Sequence, residues 1–73
     1  MSKIPPRSGP ECIRKLKKLG FEILRQKGSH VVLRHADGRV TVVPYHQGHD
    51  LGIGLVRKIL KDAKVTPEEF NDI

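Results

Sequence analysis

The 73-residue sequence is poor in the residues that usually anchor small folds, with no tryptophan, one tyrosine, two phenylalanines and one cysteine. The single Cys12 excludes an internal disulfide and a zinc site built on cysteine pairs, and it is typical of a reducing compartment. No apolar run approaches the roughly 20 residues that span a bilayer, and no signal peptide is evident. We therefore expect a cytoplasmic chain without a membrane segment.

Acidic residues are also scarce, because 8 Asp and Glu stand against 14 Lys and Arg, for a net charge of +6. Such a surplus on a short chain favours a polyanion or an acidic protein as partner, and nucleic acid is the first candidate. A chain of this length buries only about 60% of the surface that its unfolded form exposes. We expect a single domain over residues 1–73, with a thin core and an irregular lead-in at residues 1–7.

Capping signals and apolar spacing predict two main helices. Ser8 to Glu11 has the form of a capping box, helical spacing of apolar residues follows, and Gly20 supplies a stop, so the first helix is expected over residues 9–19. Its basic residues, Lys15 among them, are expected to face solvent. The second helix has an apolar stripe, and Thr66 begins a short last turn. The stripe consists of Leu55, Val56, Ile59, Leu60 and Ala63.

Three β-type runs lie between these helices, at residues 21–26, 30–35 and 39–43, separated by turn signals that include Asp37-Gly38. Pro44 closes the third strand, and residues 45–50 are expected to form a polar loop. The order α-β-β-β-α predicts an α+β fold with a three-stranded antiparallel sheet, two helices on one face and the other face open. This layout is similar to a double-stranded-RNA-binding domain, although a layout alone does not decide function.

His30 is the candidate catalytic residue. It opens the second strand directly after Gly28-Ser29, where backbone N–H groups and Lys27 can approach a phosphate. RNA supplies its own nucleophile, the 2′-OH, so cleavage requires a base, an acid and a cation for the developing charge, and in principle no metal. Histidine suits either proton transfer near neutral pH. The alternative is that His30 is only a polar residue that begins a strand.

Strand alternation places His30 and Arg34 on one face and the apolar Val31 and Leu33 on the other. If the apolar pair faces the helices, His30 and Arg34 lie on the open face. There we expect an imidazole and a guanidinium to address one phosphodiester.

Other residues admit both functional and structural interpretations. His46 is a candidate second proton-transfer group or a solvated loop residue, and His46 with His49 makes a poor zinc site without cysteine or a positioned carboxylate, so we expect no metal and no cofactor. Ser29 lacks the partners of an acyl-transfer nucleophile. Lys58 belongs to a set of helix cations that are either solvated or part of a phosphate-contacting rim. The others in the set are Lys15, Lys18, Arg57 and Lys61.

Several segments resemble HicA-type toxins, the YcfA-like mRNA interferases of toxin–antitoxin pairs, over residues 8–70. They are Leu-Lys-Lys-Leu-Gly-Phe at 16–21, Arg-Gln-Lys-Gly-Ser-His at 25–30, Arg-His before Asp-Gly at 34–38, Val-Pro-Tyr-His at 43–46, and Ile-Leu-Lys at 59–61 with Thr-Pro-Glu-Glu-Phe at 66–70. The sequence departs from the family at Leu55, where a small hydroxyl residue is usual, and at Lys64, where glycine is usual. Lys64 must take a less favourable cap conformation or let the helix continue.

The resemblance implies a dsRBD-like fold, a catalytic role for His30, and a HicB-type antitoxin that blocks the active surface. We therefore expect a metal-independent endoribonuclease that cleaves single-stranded mRNA and arrests translation. Two other functions stay open. The first is a non-catalytic RNA-binding module, which would bind RNA in a salt-dependent way and leave it intact. The second is a protein-binding domain that meets an acidic partner and has little affinity for RNA.

Overall fold

The computed structural model of the chain describes residues 7–45 and 50–73. In chain order the elements are β1 (Arg7–Ser8), α1 (Gly9–Lys18), β2 (Phe21–Lys27), β3 (His30–His35), β4 (Val40–Pro44), β5 (Asp50–Leu51), α2 (Ile53–Ala63) and α3 (Pro67–Asn71). The predicted α+β class and the α-β-β-β-α order are confirmed. In the described ranges, every helix is too short or too polar to cross a lipid bilayer.

The main sheet is antiparallel with β3 between β2 and β4. Alternate residues of β3 and β4, together with Phe21 at the start of β2, are buried beneath α1 and α2, and the opposite face is open to solvent. A small second sheet pairs β1 with β5 and joins Arg7 to Leu51 and Ser8 to Asp50. The sequence did not predict this pair, and Arg7, which we expected in the irregular lead-in, belongs to it. Residues 1–6 lie outside the described residues.

One apolar core joins the helices to the sheet. Phe21, Leu16 and Leu33 are its largest fully buried residues from the first half of the chain, and Phe70 closes it from α3. The remaining core residues are Cys12, Ile13, Val31, Val43, Leu51, Val56, Ile59, Leu60, Ala63 and Val65. Burial of these side chains supplies most of the driving force that holds the sheet against the helices.

The start of α1 confirms Ser8 as the N-cap of the predicted capping box. The Ser8 side chain accepts a hydrogen bond of 3.2 Å from the Glu11 backbone N–H, which satisfies one of the otherwise unpaired N–H groups of the first turn. The helix ends at Lys18, one residue earlier than predicted, and Gly20 follows with a φ of 101°. A Cβ at Gly20 would lie 2.8 Å from His35 Nε2, so glycine is needed there for space as well as for φ.

Lys15 was expected to face solvent, and this expectation is wrong. Its side chain is only 4% exposed, and its Nζ donates to the backbone carbonyls of Phe70 at 3.0 Å and Ile73 at 2.8 Å. The ammonium also lies 5.1 Å from the centre of the Phe70 ring. Lys15 therefore fastens α3 to α1, because carbonyl oxygens from the distant C-terminal segment compensate its burial.

The β3–β4 turn is fastened to α2 by Arg39. Its guanidinium donates to both carboxylate oxygens of Asp37, donates to the Ala63 carbonyl at 2.8 Å, and lies 5.2 Å from the Phe21 ring. The hydrogen bonds from Arg39 hold the pKa of Asp37 below its ordinary value. His35 packs edge-on against Phe21 and accepts a hydrogen bond from the Asp37 N–H, so this histidine has a structural role.

Removing the Lys15 ammonium tests its role as a fastener. We expect Lys15→Met, which keeps the apolar stem, to lower the free energy of unfolding by about 1–3 kcal/mol because a buried carbonyl loses its donor. Urea unfolding followed by circular dichroism measures the change. Lys18→Met, at an exposed position of the same helix, should change stability little. Equal effects of the two substitutions would contradict this role.

Lys64 ends α2 in the left-handed region, at φ 55° and ψ 43°, as expected for a lysine at the usual glycine position. We expect Lys64→Gly to raise the free energy of unfolding by up to about 1 kcal/mol, because glycine adopts this conformation without a steric penalty. Lys64→Ala removes the charge and keeps the strain, so it should not stabilise. If urea unfolding shows the same gain for both variants, the charge rather than the backbone is responsible.

Candidate functional site

A tight turn places His30 at the end of the sheet. Gly28 and Ser29 are the two central residues between β2 and β3, and Lys27 pairs directly with His30. Gly28 has a φ of 59°, and nothing lies within 4 Å of a Cβ built on it, so the backbone conformation rather than crowding requires glycine. A positive φ at the first central residue suits the type II′ turn that connects hairpin strands.

The third strand also holds this turn. The Tyr45 N–H donates to the Ser29 carbonyl, and Pro44 pairs with His30 on β4. His30 is therefore the central residue of a row that runs from Lys27 through His30 to Pro44. Its side chain is exposed, as expected for a residue available to a substrate.

Three such rows form what we call the open face, the side of the sheet away from the helices. The first is Lys27, His30 and Pro44, the second is Arg25, Val32 and Val42, and the third is Glu22, Arg34 and Val40. Charged residues come mainly from β2 and apolar residues from β4. The predicted alternation on β3 is confirmed, because Val31 is 2% exposed and Leu33 is 0% exposed beneath the helices, while His30 and Arg34 are exposed.

A β-bulge gives β2 its set of open-face residues. The pairing with β3 shifts between Ile23 and Arg25, and Leu24 is the extra residue. Without it, Arg25 and Lys27 would share the helix side with Ile23, since side chains alternate along a regular strand. The bulge therefore turns two cations toward His30. Sequence reasoning missed Arg25, because no local sequence pattern marks the position of the bulge.

The cations of the open face lie at different distances from His30. Lys27 lies directly opposite it, at a Cα separation of about 4.5–5.5 Å for paired residues, and Arg25 occupies the next diagonal position at about 7–8 Å. Arg34 is four residues from His30 on the same strand, which corresponds to roughly 13 Å. The expectation that His30 and Arg34 address one phosphodiester does not fit this spacing. Lys27 is the cation beside the imidazole.

The other predicted site residues lie elsewhere. Lys58 is exposed on α2, in the helix layer, and belongs to none of the three rows. Ser29 is partly exposed in the turn, where its carbonyl already accepts from Tyr45. His46 lies outside the described residues, as does His49. Within residues 7–45 and 50–73, no three His, Cys, Asp or Glu side chains are grouped so that they could hold a metal ion.

Comparison with protein families finds one family model that matches most of this chain. A family model described as the HicA toxin of bacterial toxin–antitoxin systems matches residues 9–65, which is more than half of the chain. The match includes the Gly28-Ser29 turn, His30 and the whole main sheet. A search of curated protein sequences finds no match. The chain belongs to the HicA toxin family of bacterial toxin–antitoxin systems.

Proposed function

We propose that this chain is an endoribonuclease toxin that cuts single-stranded messenger RNA with His30, without a metal ion, until a HicB-type antitoxin covers it. The observation that supports this proposal most strongly is the row of Lys27 and His30 on an exposed sheet face, directly beside a two-residue turn. An imidazole can act as the base or the acid of RNA cleavage, and an ammonium can stabilise the developing charge, so this pair supplies two of the three groups that the reaction requires. Membership of the HicA family supports the role of toxin.

The chemistry uses the nucleophile of the RNA itself. A base removes the proton of the 2′-OH, the 2′-oxygen forms a bond to the adjacent phosphorus, and the bond from phosphorus to the 5′-oxygen breaks. An acid returns a proton to the departing 5′-oxygen, so the products are a 2′,3′-cyclic phosphate and a 5′-hydroxyl. His30 performs one of these proton transfers, and the Lys27 ammonium stabilises the negative charge that builds up on the phosphate oxygens.

The other cations of the open face position the strand. Arg25 lies one row from His30 and Arg34 two rows away, so they contact phosphates farther along the RNA. The backbone of Gly28 and Ser29 offers N–H groups at the turn. Lys58, in the helix layer, adds long-range attraction for a polyanion without touching the scissile phosphate.

Antitoxin binding on the same face would explain its apolar residues. Val40 is 43% exposed and Val42 is 40% exposed, both on the β4 side of the two open-face rows that follow the row of His30. A HicB-type partner that buries this apolar edge would also cover His30 and exclude RNA. Translation arrest in the cytoplasm would then depend on the amount of free toxin.

The His30 side chain can be removed without disturbing the core, because it is exposed. We expect His30→Ala to lower the rate of RNA cleavage in EDTA by about 10²- to 10⁴-fold, the usual range for losing a general acid or base. Cleavage of a long single-stranded RNA is followed on a denaturing gel, with folding checked by circular dichroism. Glu22→Ala is the matched control, since it truncates an exposed side chain of the same face and should leave cleavage intact.

Equal cleavage by folded His30→Ala and wild-type protein would contradict the catalytic role of His30. Intact RNA in every lane, together with a salt-dependent band shift on a native gel, would instead support a non-catalytic RNA-binding module.

The two cations Lys27 and Arg34 should differ in kinetics. We expect Lys27→Ala to lower kcat by about 10²-fold, because it removes a donor to developing charge. Arg34→Ala should instead raise KM and reduce the slope of log affinity against log salt by about 0.7, the value for one lost single-strand phosphate contact. Lys27→Arg should restore part of kcat. A kcat loss in Arg34→Ala as large as that in Lys27→Ala would contradict the assignment of Lys27.

A further inference from the structure

We propose that the groove between α1 and β2 is a nucleobase subsite, in which an unstacked base of single-stranded RNA stacks on Tyr45. This inference deepens the proposed function and rests on it for the identity of the ligand. The groove lies on the helix side of the sheet, so it is separate from the open face that contains His30. It has a volume of about 360 Å³, within the range of small-molecule sites. Besides Tyr45, it is lined by Ile13, Arg14, Lys17, Ile23, Gln26 and Val31.

The groove leaves apolar surface uncovered by the rest of the described chain. Ile23 is 45% exposed and Tyr45 is 39% exposed, while Ile13 and Val31 form a floor that is nearly buried. The β2 bulge explains this arrangement, because it keeps Ile23 and Gln26 on the helix side and sends Arg25 to the open face. A flat, aromatic ligand would bury this surface between an aliphatic floor and a phenol ring.

The polar groups of the groove match a nucleotide. The Gln26 Nε2 donates to the Gly28 carbonyl at 3.1 Å, which orients the carboxamide and leaves its oxygen and second N–H for the edge of a base. Arg14 and Lys17 are exposed on the α1 side, and no acidic residue of the described chain lines the groove. Two cations beside an aromatic ring are the usual elements of single-strand recognition.

The groove and His30 lie at the same end of the sheet. Tyr45 donates its N–H to Ser29, the residue before His30, and follows Pro44, the residue that pairs with His30. An RNA strand that crosses this end can therefore place a phosphate beside His30 and a neighbouring base beside Tyr45.

An extended acidic peptide is the competing occupant, because β2 is an edge strand that could accept another strand. The bulge at Leu24 interrupts the hydrogen-bonding edge in the middle of β2, and bulges of this kind protect edges from strand addition. The groove is therefore better suited to a base than to an added strand.

Tyr45 is the only tyrosine and the chain has no tryptophan, so the intrinsic fluorescence of the protein comes from Tyr45 and reports on this groove. We expect a short oligoribonucleotide to quench the fluorescence of His30→Ala protein saturably, since this variant should bind RNA without cutting it. The control ligand is an oligonucleotide of the same length in which every base is absent. It should bind weakly through charge and leave the fluorescence unchanged, because it has no base to stack.

Equal quenching by the abasic strand, or a shifted band on a native gel without quenching, would overturn the subsite. Quenching by an acidic peptide but not by the oligoribonucleotide would also overturn it and would assign the groove to a protein partner. These outcomes are independent of cleavage. If RNA quenches the fluorescence of the wild-type protein but is recovered intact, the subsite proposal stands and the proposed nuclease activity is refuted.

A second set of variants measures the stacking contact. In fluorescence anisotropy with a labelled oligoribonucleotide, Tyr45→Ala should raise Kd by about 5- to 150-fold, the range for losing one base–aromatic contact. Tyr45→Phe keeps the ring and should bind like the parent protein. Ile53→Ala is the control, since it removes a comparably exposed apolar side chain that does not line the groove. Equal weakening by Tyr45→Phe and Tyr45→Ala would overturn stacking.

Discussion

The β-bulge at Leu24 is the constraint on which the two surfaces of this molecule depend. The first part of β2 must point Phe21 and Ile23 toward the helices, because Phe21 is 1% exposed in the core. On a regular strand that requirement would also turn Arg25 and Lys27 inward, where a charge is costly. One extra residue resolves the conflict and reverses the alternation. The second half of the strand therefore gives its cations to the open face and Gln26 to the α1–β2 groove.

The rest of the fold keeps the sheet in place beneath this arrangement. Lys15 fastens α3 to α1 through backbone carbonyls, and Arg39 fastens the β3–β4 turn to the end of α2. Both contacts lie away from the open face and make use of buried or partly buried cations. The chain therefore separates its positive charges by role, since some stabilise the packing of helices and others remain exposed on the face where a polyanion would bind.

The sequence predicted most of the fold because its turns are strongly marked. The strand His30–His35 has the predicted bounds, since glycine-containing turns flank it, and the exposure of His30 and Arg34 followed from simple alternation. Three features depended on contacts that no local pattern encodes. Arg25 reaches the open face only through the bulge, Lys15 is buried only because carbonyls from the distant C-terminal segment meet it, and β1–β5 pairs residues more than 40 positions apart. The pairing of His30 with Lys27 rather than with Arg34 likewise required the register of the hairpin.

Attack by the 2′-oxygen of the RNA is the central claim, because it explains why the proposed cleavage needs no nucleophile from the protein. The most direct measurement replaces the nucleotide on the 5′ side of one mapped cleavage site with its 2′-deoxy analogue and follows the products on a sequencing gel. The account predicts that this bond resists the protein while the other sites of the same strand are cut as before. Cleavage of the deoxy-substituted bond at the original rate would contradict it, since an external water would then be the nucleophile.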